Sequence, residues 1–305
     1  MISSFLYRIE FKSYSSPVKD FNRAYIEITN VCNLSCSFCP ITEREKQFMS
    51  IQQIEQAIKQ VAPIANQLCL HLMGEPLAHP QFKEILKIAE FYNAQIQLTT
   101  NGILLKKYRE IILSSKCVRQ VNISAQSYMD NFPNKPIEQY LEDVSTFILT
   151  SLAQNPDLYL NLRLWNIDGT DQAMNEPIFA FFEKKLNIQI NRNIELGRIK
   201  SKKLLGRFYF HFDSRFDWPR LESPVQSTEG RCNGLIDHFA VHADGTVSPC
   251  CLDDQKIIQL GNIFDNDIKT ILESDRATKI KNGFKNGKLI EELCQKCTYI
   301  NRFKK

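Results

Sequence analysis

Ten of the 305 residues are cysteines, at positions 32, 36, 39, 69, 117, 232, 250, 251, 294 and 297. Without a secretory context such cysteines read as metal ligands before disulfides, so their spacing carries the information. The tightest group is Cys32-Asn-Leu-Ser-Cys36-Ser-Phe-Cys39. Three thiolates on one loop can converge on one metal centre, and thiolate-only ligation suits zinc or an iron–sulfur cluster. Zinc normally takes a fourth ligand close by. Three ligands leave one iron of a four-iron cluster open to a substrate or cofactor. A second set, Cys232-x12-Gly245-x4-Cys250 and then Cys294-x2-Cys297, supplies four thiolates. Four cysteines suit a cluster or a zinc knuckle. Cys250 and Cys251 are adjacent, so only one can readily face such a centre. Cys69 and Cys117 have no partner at ligand spacing and read as small buried hydrophobes.

The elements that must position these residues alternate between extended runs and helical patterns from about residue 24 to 190. Strands are expected at 24–29, 68–73, 94–101, 118–125 and 158–165. Helices are expected at 51–62, 81–92, 103–114, 137–154 and 176–186. In the first helix, Ser50 and Gln53 form a capping box ahead of an apolar face of Ile51, Ile54, Ile58 and Val61. Such alternation predicts a parallel sheet with helical crossovers, doubly wound or a barrel. The strands are polar on one face. Leu158, Leu160, Leu162 and Leu164 share one side, and Tyr159, Asn161, Arg163 and Trp165 the other. Leu68, Leu70 and Leu72 likewise oppose Cys69, His71 and Met73, and Val121 and Ile123 oppose Asn122 and Ser124. A buried parallel strand is usually apolar on both faces. Repeated alternation therefore favours a barrel whose lumen holds a polar ligand. After residue 190 the alternation fades: 207–213 reads as extended and 216–230 as a linker. Strands at 239–242 and 246–248 flank Ala-Asp-Gly as a hairpin, and one helix is expected at about 268–282.

C-x3-C-x-aromatic-C directly after the first strand of a βα series resembles the radical SAM superfamily. The resemblance implies that Cys32, Cys36 and Cys39 hold a [4Fe–4S] cluster, with Phe38 packed near the adenine of S-adenosylmethionine. Met73-Gly74-Glu75-Pro76 is similar to the family's Gly-Gly-Glu motif, with Met73 in place of the first glycine; Gly74 and Glu75 would take the methionine amino group. Thr99, Asn101 and Ser124 stand at places resembling those that hold ribose and carboxylate. Arg163 stands where an arginine often pairs with the methionine carboxylate, which a guanidinium fork suits. The C-terminal cysteines resemble the first part of a SPASM domain, in its shortened twitch form with one auxiliary [4Fe–4S] cluster; the Gly-x4-Cys spacing then selects Cys250 as ligand. The implied architecture is a partial (β/α)6 TIM-like barrel over residues 1–215 and a small hairpin-plus-helix auxiliary cluster domain over 216–305.

The implied chemistry is reductive cleavage of S-adenosylmethionine to a 5′-deoxyadenosyl radical, which abstracts a hydrogen atom from a substrate. An oxidoreductase is expected, with the auxiliary cluster taking or passing an electron. The expected substrate is a peptide or protein, or a small metabolite. A nucleoside or RNA is the alternative, the RNA reading resting on the basic stretch Arg198, Lys200, Lys202, Lys203 and Arg207. A low-potential donor such as a flavodoxin or ferredoxin is implied. From a different class, a non-catalytic zinc-binding scaffold would use the same cysteines, but it has no need of the Gly74–Pro76 turn or a polar lumen. Net charge of +4, 43% hydrophobic and 24% charged residues describe an ordinary globular chain. No apolar run approaches the roughly 20 residues of a spanning helix. Residues 1–11 are interrupted by Arg8 and Glu10 and lack a small-residue cleavage site, so no signal peptide is read and the cytoplasm is the expected compartment.

Overall fold

The computed structural model describes residues 19–167, 170–196 and 198–303; the stretch 1–11, read above for a signal peptide, lies outside them. The core opens with β1 (Phe21–Ile26), α1 (Ile51–Val61), β2 (Ala65–Cys69), α2 (Phe82–Phe91), β3 (Ile96–Thr100) and α3 (Leu105–Ser114). It continues with β4 (Val118–Ser124), α4 (Gln126–Asn131), α5 (Glu138–Gln154), β5 (Tyr159–Leu164), α6 (Glu176–Leu186), β6 (Ser201–Leu205) and β7 (Phe208–Phe212). The C-terminal part holds β8 (His238–Val241), β9 (Thr246–Ser248), β10 (Gly261–Asn262), α7 (Ile268–Leu272), α8 (Asp275–Lys285) and α9 (Glu292–Gln295).

All ten strands join one sheet in the order β10-β9-β8-β1-β2-β3-β4-β5-β7-β6. The six core strands β1, β2, β3, β4, β5 and β7 run parallel, as in a partial (β/α)6 barrel. The alternation read from the sequence is realised on β4 and β5. Leu158, Leu160, Leu162 and Leu164 are buried on the helix side. Phe208, Phe210 and Phe212 are buried there too, with Phe208 and Phe210 against Phe182 of α6 and Phe210 also against Phe179. Burying one such side chain contributes about 1.5–3 kcal/mol, which ties each helix to its strand. The opposite faces of β1, β3, β4, β5, β7 and β8 line a single cavity, so the sheet is curled around a lumen.

Two local signals are borne out. The Ser50 amide donates to Gln53 Oε1 at 2.9 Å and the Gln53 amide to Ser50 Oγ at 3.2 Å, closing the capping box of α1. Ala243-Asp244-Gly245 turns β8 into β9; Gly245 has φ +86°, and a Cβ there would meet Asn262 Oδ1 at 2.4 Å.

Four expectations need correction. The helix read over 268–282 is two helices, because Asp267 caps α7 and Ser274 caps α8, each restarting the backbone hydrogen bonding. β1 ends at Ile26 rather than Thr29: beyond it Thr29 bridges Phe48 and its hydroxyl donates to the Gln47 carbonyl at 2.8 Å, drawing the chain out of the sheet. β2 spans Ala65–Cys69 rather than 68–73, so Leu72 lies beyond the strand and lines the cavity with His71. Of the basic stretch, Lys202 and Lys203 lie on the edge strand β6, antiparallel to β7. Arg207 pairs with Asp157 and lies over Tyr159, and Arg198 pairs with Glu195. Lysines on an edge strand are a common guard against unwanted strand pairing, which accounts for them without RNA. Strand β8 of the hairpin pairs in parallel with β1, so the sheet runs through both halves of the chain.

Candidate active site

Cys32, Cys36 and Cys39 lie on the loop that follows β1. Cys32 and Cys39 are exposed and Cys36 is half-buried. The loop is held by α4, which the sequence reading missed. The Asn131 side chain donates to Cys36 Sγ at 3.1 Å and accepts from the Ser35 amide at 2.8 Å. Asp130 accepts from the Ser37 amide at 2.6 Å and its hydroxyl at 2.5 Å. A hydrogen bond from Cys39, helped by Ser127 and Asn131, lowers the Cys36 thiol to about 7 against the effect of burial. Phe38 is half-buried under the segment after β7: Arg215 lies 5.4 Å over its ring, and Trp218 Nε1 donates to its carbonyl at 3.2 Å.

Gly74 has φ +77°, and a Cβ would stand 2.5 Å from the Thr29 carbonyl, so only glycine lets this turn pack beside the cysteine loop. The turn presents Glu75, which is buried. Its carboxylate accepts from the amides of Leu77 at 3.1 Å and Asn101 at 2.7 Å. Burial nevertheless raises its pKa to about 7. The Asn101 side chain donates to Asn33 Oδ1 at 2.8 Å and lies 3.9 Å from Cys32 Sγ. Glu75, Asn101 and the cysteine loop thus form one group.

A buried ion pair backs this group. Arg44, on the stretch following Cys39, grips Glu27 with two bonds of 2.7 Å. Glu27 also accepts from the amides of Met73 at 3.1 Å and Ala243 at 3.0 Å. One carboxylate therefore fastens the cysteine loop, the Gly74 turn and the hairpin. Neither residue carries a sequence motif, because the pairing spans 17 and 216 positions.

Cys232, Cys250, Cys294 and Cys297 are all half-buried, and burial pushes every one of these thiols up. Cys250 has Cys232 and Cys294 among its electrostatic neighbours, and Cys294 has Cys232 and Cys297. Cys251 lies on the same cavity wall, with the Tyr25 hydroxyl of β1 and Cys232 among its neighbours. The two segments are stitched together by backbone bonds from Gln226 to Gln295 at 2.7 Å and from Gly230 to Gly287 at 2.8 Å.

All four of these cysteines, and Cys251, line the wall of a cavity of about 530 Å³ whose other wall is the barrel lumen. Arg163 lines it, beside Tyr25, Cys69, Arg23 and Cys251 rather than beside Glu75. Thr99 and Ser124 face the lumen side without reaching this cavity, and the Thr99 hydroxyl accepts from Asn122 at 3.2 Å. Asn161 donates to Asn122 at 2.9 Å, and Gln120 to the same oxygen at 2.7 Å. His71 is held neutral, its pKa pushed to about 3 by burial and by Arg163 and Arg23, and its Nδ1 has no hydrogen-bond partner. His79 is structural, bonded through Nε2 to the Met49 carbonyl at 3.0 Å. Cys69 is buried, its thiol pushed up to about 12 by burial, and 3.6 Å from Gln97 Oε1; Cys117 is buried away from the cavity.

Residues 26–146 match the radical SAM superfamily, and residues 232–298 match an iron–sulfur cluster-binding domain of the SPASM type. A GTP 3′,8-cyclase of Alkaliphilus oremlandii is 30% identical over 271 residues, which cover 77% of this chain and 82% of that relative. The chain belongs to the radical SAM superfamily. The sporulation killing factor maturation protein SkfB of Bacillus subtilis is 23% identical, over 88% of this chain and 68% of SkfB. The crystal structure of BtrN with AdoMet and 2-DOIA shares the fold, at a TM-score of 0.57 and 16% identity over 91% of this chain and 93% of BtrN. As a radical SAM enzyme with a SPASM domain, the protein uses S-adenosylmethionine and [4Fe–4S] clusters.

The donor sets fit these groups. The loop after β1 offers three sulfurs and no fourth, while the C-terminal quartet offers four from two segments. Among the described residues no three His, Cys, Asp or Glu side chains are drawn closely enough around one point to hold a single metal ion. The match to the radical SAM superfamily sets aside the zinc scaffold expected as a rival. No helix among the described residues is long and apolar enough to cross a membrane.

Proposed function

We propose that the protein abstracts a hydrogen atom from a small-molecule substrate held in the 530 Å³ cavity between the barrel lumen and the C-terminal cysteine quartet. That cavity carries the reading. The cysteine wall would be taken by the auxiliary cluster, which leaves the lumen side, lined by Arg163, Gln97, Gln120, Asn122 and Asn161, for a small polar ligand. Cys32, Cys36 and Cys39 would hold the core cluster, and Cys232, Cys250, Cys294 and Cys297 the auxiliary one. When bound and reduced, the cofactors supply a hydrogen-abstracting radical; the chain orients the substrate and excludes water. Glu75 would take the methionine ammonium, with Gly74 and Asn101 shaping the same turn and Phe38 against the adenine. Thr99 and Ser124 would meet ribose or carboxylate from the lumen. The division at residues 215 and 216 into barrel and auxiliary domain belongs to this reading.

A net oxidation is the outcome we infer, since a fully ligated auxiliary cluster beside the substrate has no vacant iron and can accept an electron. A low-potential flavodoxin or ferredoxin would be the donor. Likeness to a GTP 3′,8-cyclase supports a nucleotide-sized substrate, whereas likeness to SkfB supports a peptide. The amide- and arginine-lined lumen side of the cavity favours the former. The test is anaerobic reconstitution and reduction with excess S-adenosylmethionine, comparing metabolite and peptide pools. Formation of 5′-deoxyadenosine stimulated by the metabolite pool is expected. No 5′-deoxyadenosine under any condition would overturn the reading, and stimulation by peptides alone would move the substrate to the peptide class.

A further inference from the structure

The cavity wall carries more positive charge than its own carboxylates balance. Arg23, Arg163, Lys200 and Arg302 line it, against Asp213 and Asp237. Asp213 is taken by Arg302, with both contacts at 2.9 Å. Asp237 bonds to the Asn22 side chain and lies 3.9 Å from His238, and it acts on Arg23 only weakly. Arg163 has no carboxylate within ion-pair distance among the described residues. Its neighbours are Tyr25, Cys69, Arg23 and Cys251, and burial beside Arg23 lowers even its guanidinium to about 10. Two guanidiniums facing one cavity repel each other, and burial raises the cost of the Arg163 charge. Such an arrangement is favourable when a ligand brings the missing negative charge.

The local geometry prepares these groups for a ligand. Arg163 is stacked on Trp165 with its guanidinium carbon 4.6 Å from the ring centroid, which restricts the fork without using its N–H donors. Trp165 is itself fixed by a bond of 3.0 Å from Nε1 to His211 Nδ1. His71, on the same wall, has a buried ring nitrogen without a partner. Gln97, Gln120, Asn122 and Asn161 add amides to the lumen side.

We propose that the substrate of this cavity is a small organic anion whose carboxylate or phosphate is gripped by Arg163 and Arg23, with the free nitrogen of His71 as a third hydrogen-bonding group. The inference rests on the proposed function for the identity of the cavity as a substrate site. It assigns Arg163 to substrate, in place of the methionine carboxylate expected from its strand position. A planar fork binds either oxyanion in two-point fashion, whereas an uncharged substrate would leave both guanidiniums uncompensated.

The test uses the reconstituted holoenzyme at constant ionic strength and follows its thermal unfolding with added pyrophosphate or malonate, with chloride as control. A saturable upward shift with one or both anions is expected, pyrophosphate reporting a phosphate site and malonate a carboxylate site. Arg163→Gln and the more exposed Arg23→Gln should each weaken the binding constant by roughly tenfold or more, with Arg163→Lys in between. Iron content measured on each variant guards against loss of the fold. No shift in the wild type would overturn the proposal. So would a shift that survives in both glutamine variants, marking an adventitious ion only. Weakened S-adenosylmethionine binding in Arg163→Gln with the anion shift intact would return Arg163 to the methionine carboxylate. An altered auxiliary-cluster spectrum with the anion shift intact would make the arginines counter-charges for the thiolates instead. A wild type that forms 5′-deoxyadenosine without an anion shift defeats this inference alone; a wild type that forms none defeats the proposed function.

Discussion

The two cysteine sets differ in how the chain holds them. The loop of Cys32, Cys36 and Cys39 is contiguous and mostly exposed, and is shaped by polar side chains from elsewhere, Asn131, Asp130 and Asn101. The set of Cys232, Cys250, Cys294 and Cys297 is assembled from two distant segments and held by backbone pairing. An exposed, three-sulfur loop leaves room for a cofactor at the fourth position. A half-buried quartet would close its centre and make metal binding part of folding. On the proposed assignment, the contrast would separate a site built to react from one built to stay intact beside the substrate.

The largest expected effect separates the two sites outright. Cys36→Ala should abolish 5′-deoxyadenosine formation while retaining about half of the roughly eight irons that two four-iron clusters bring. Retained cleavage would erase the distinction. Next, Cys250→Ala should lose the auxiliary iron and lower the unfolding temperature by about 10 °C or more, because loss of a metal site from a closed loop removes folding energy. Cys251→Ala, whose parent sulfur faces Tyr25, should keep its iron. Equal iron loss in both variants would break the assignment.

A smaller effect concerns Glu75, whose folded pKa of about 7 lies above the usual 4.5 because of burial. The unfolded chain releases its proton first, so this group's favourable state is fully present below about 4.5. Stability is then lost as pH rises through about 7, by roughly 3 kcal/mol in the chain without S-adenosylmethionine. Glu75→Gln should flatten that part of the stability profile measured by denaturant unfolding from pH 4.5 to 8, and should weaken S-adenosylmethionine binding. An unchanged profile would show the carboxylate to be solvated. The smallest effect is expected from Asn131→Ala, which removes the amide bonded to Cys36. A cost of about 1–2 kcal/mol is expected. It should appear as slower reconstitution of the core cluster at unchanged auxiliary iron.

The cysteine spacings, the Gly74–Pro76 turn and the alternation within strands were legible because each is local. A loop of eight residues or a strand of six carries its own pattern, and the capping box at Ser50 spans three positions. The break between α7 and α8 was equally local, in Ser274, and was overlooked because apolar residues continue on both sides.

By itself the sequence determined the family chemistry, since thiolate spacing after a strand restricts what a loop can ligate. Only the tertiary structure decided which side chains hold that loop and that Arg163 and Arg23 share one cavity. These contacts join residues such as Glu27 and Ala243, 216 positions apart. Pairings at that distance are selected by the packing of the whole sheet, and no short pattern in the chain encodes them.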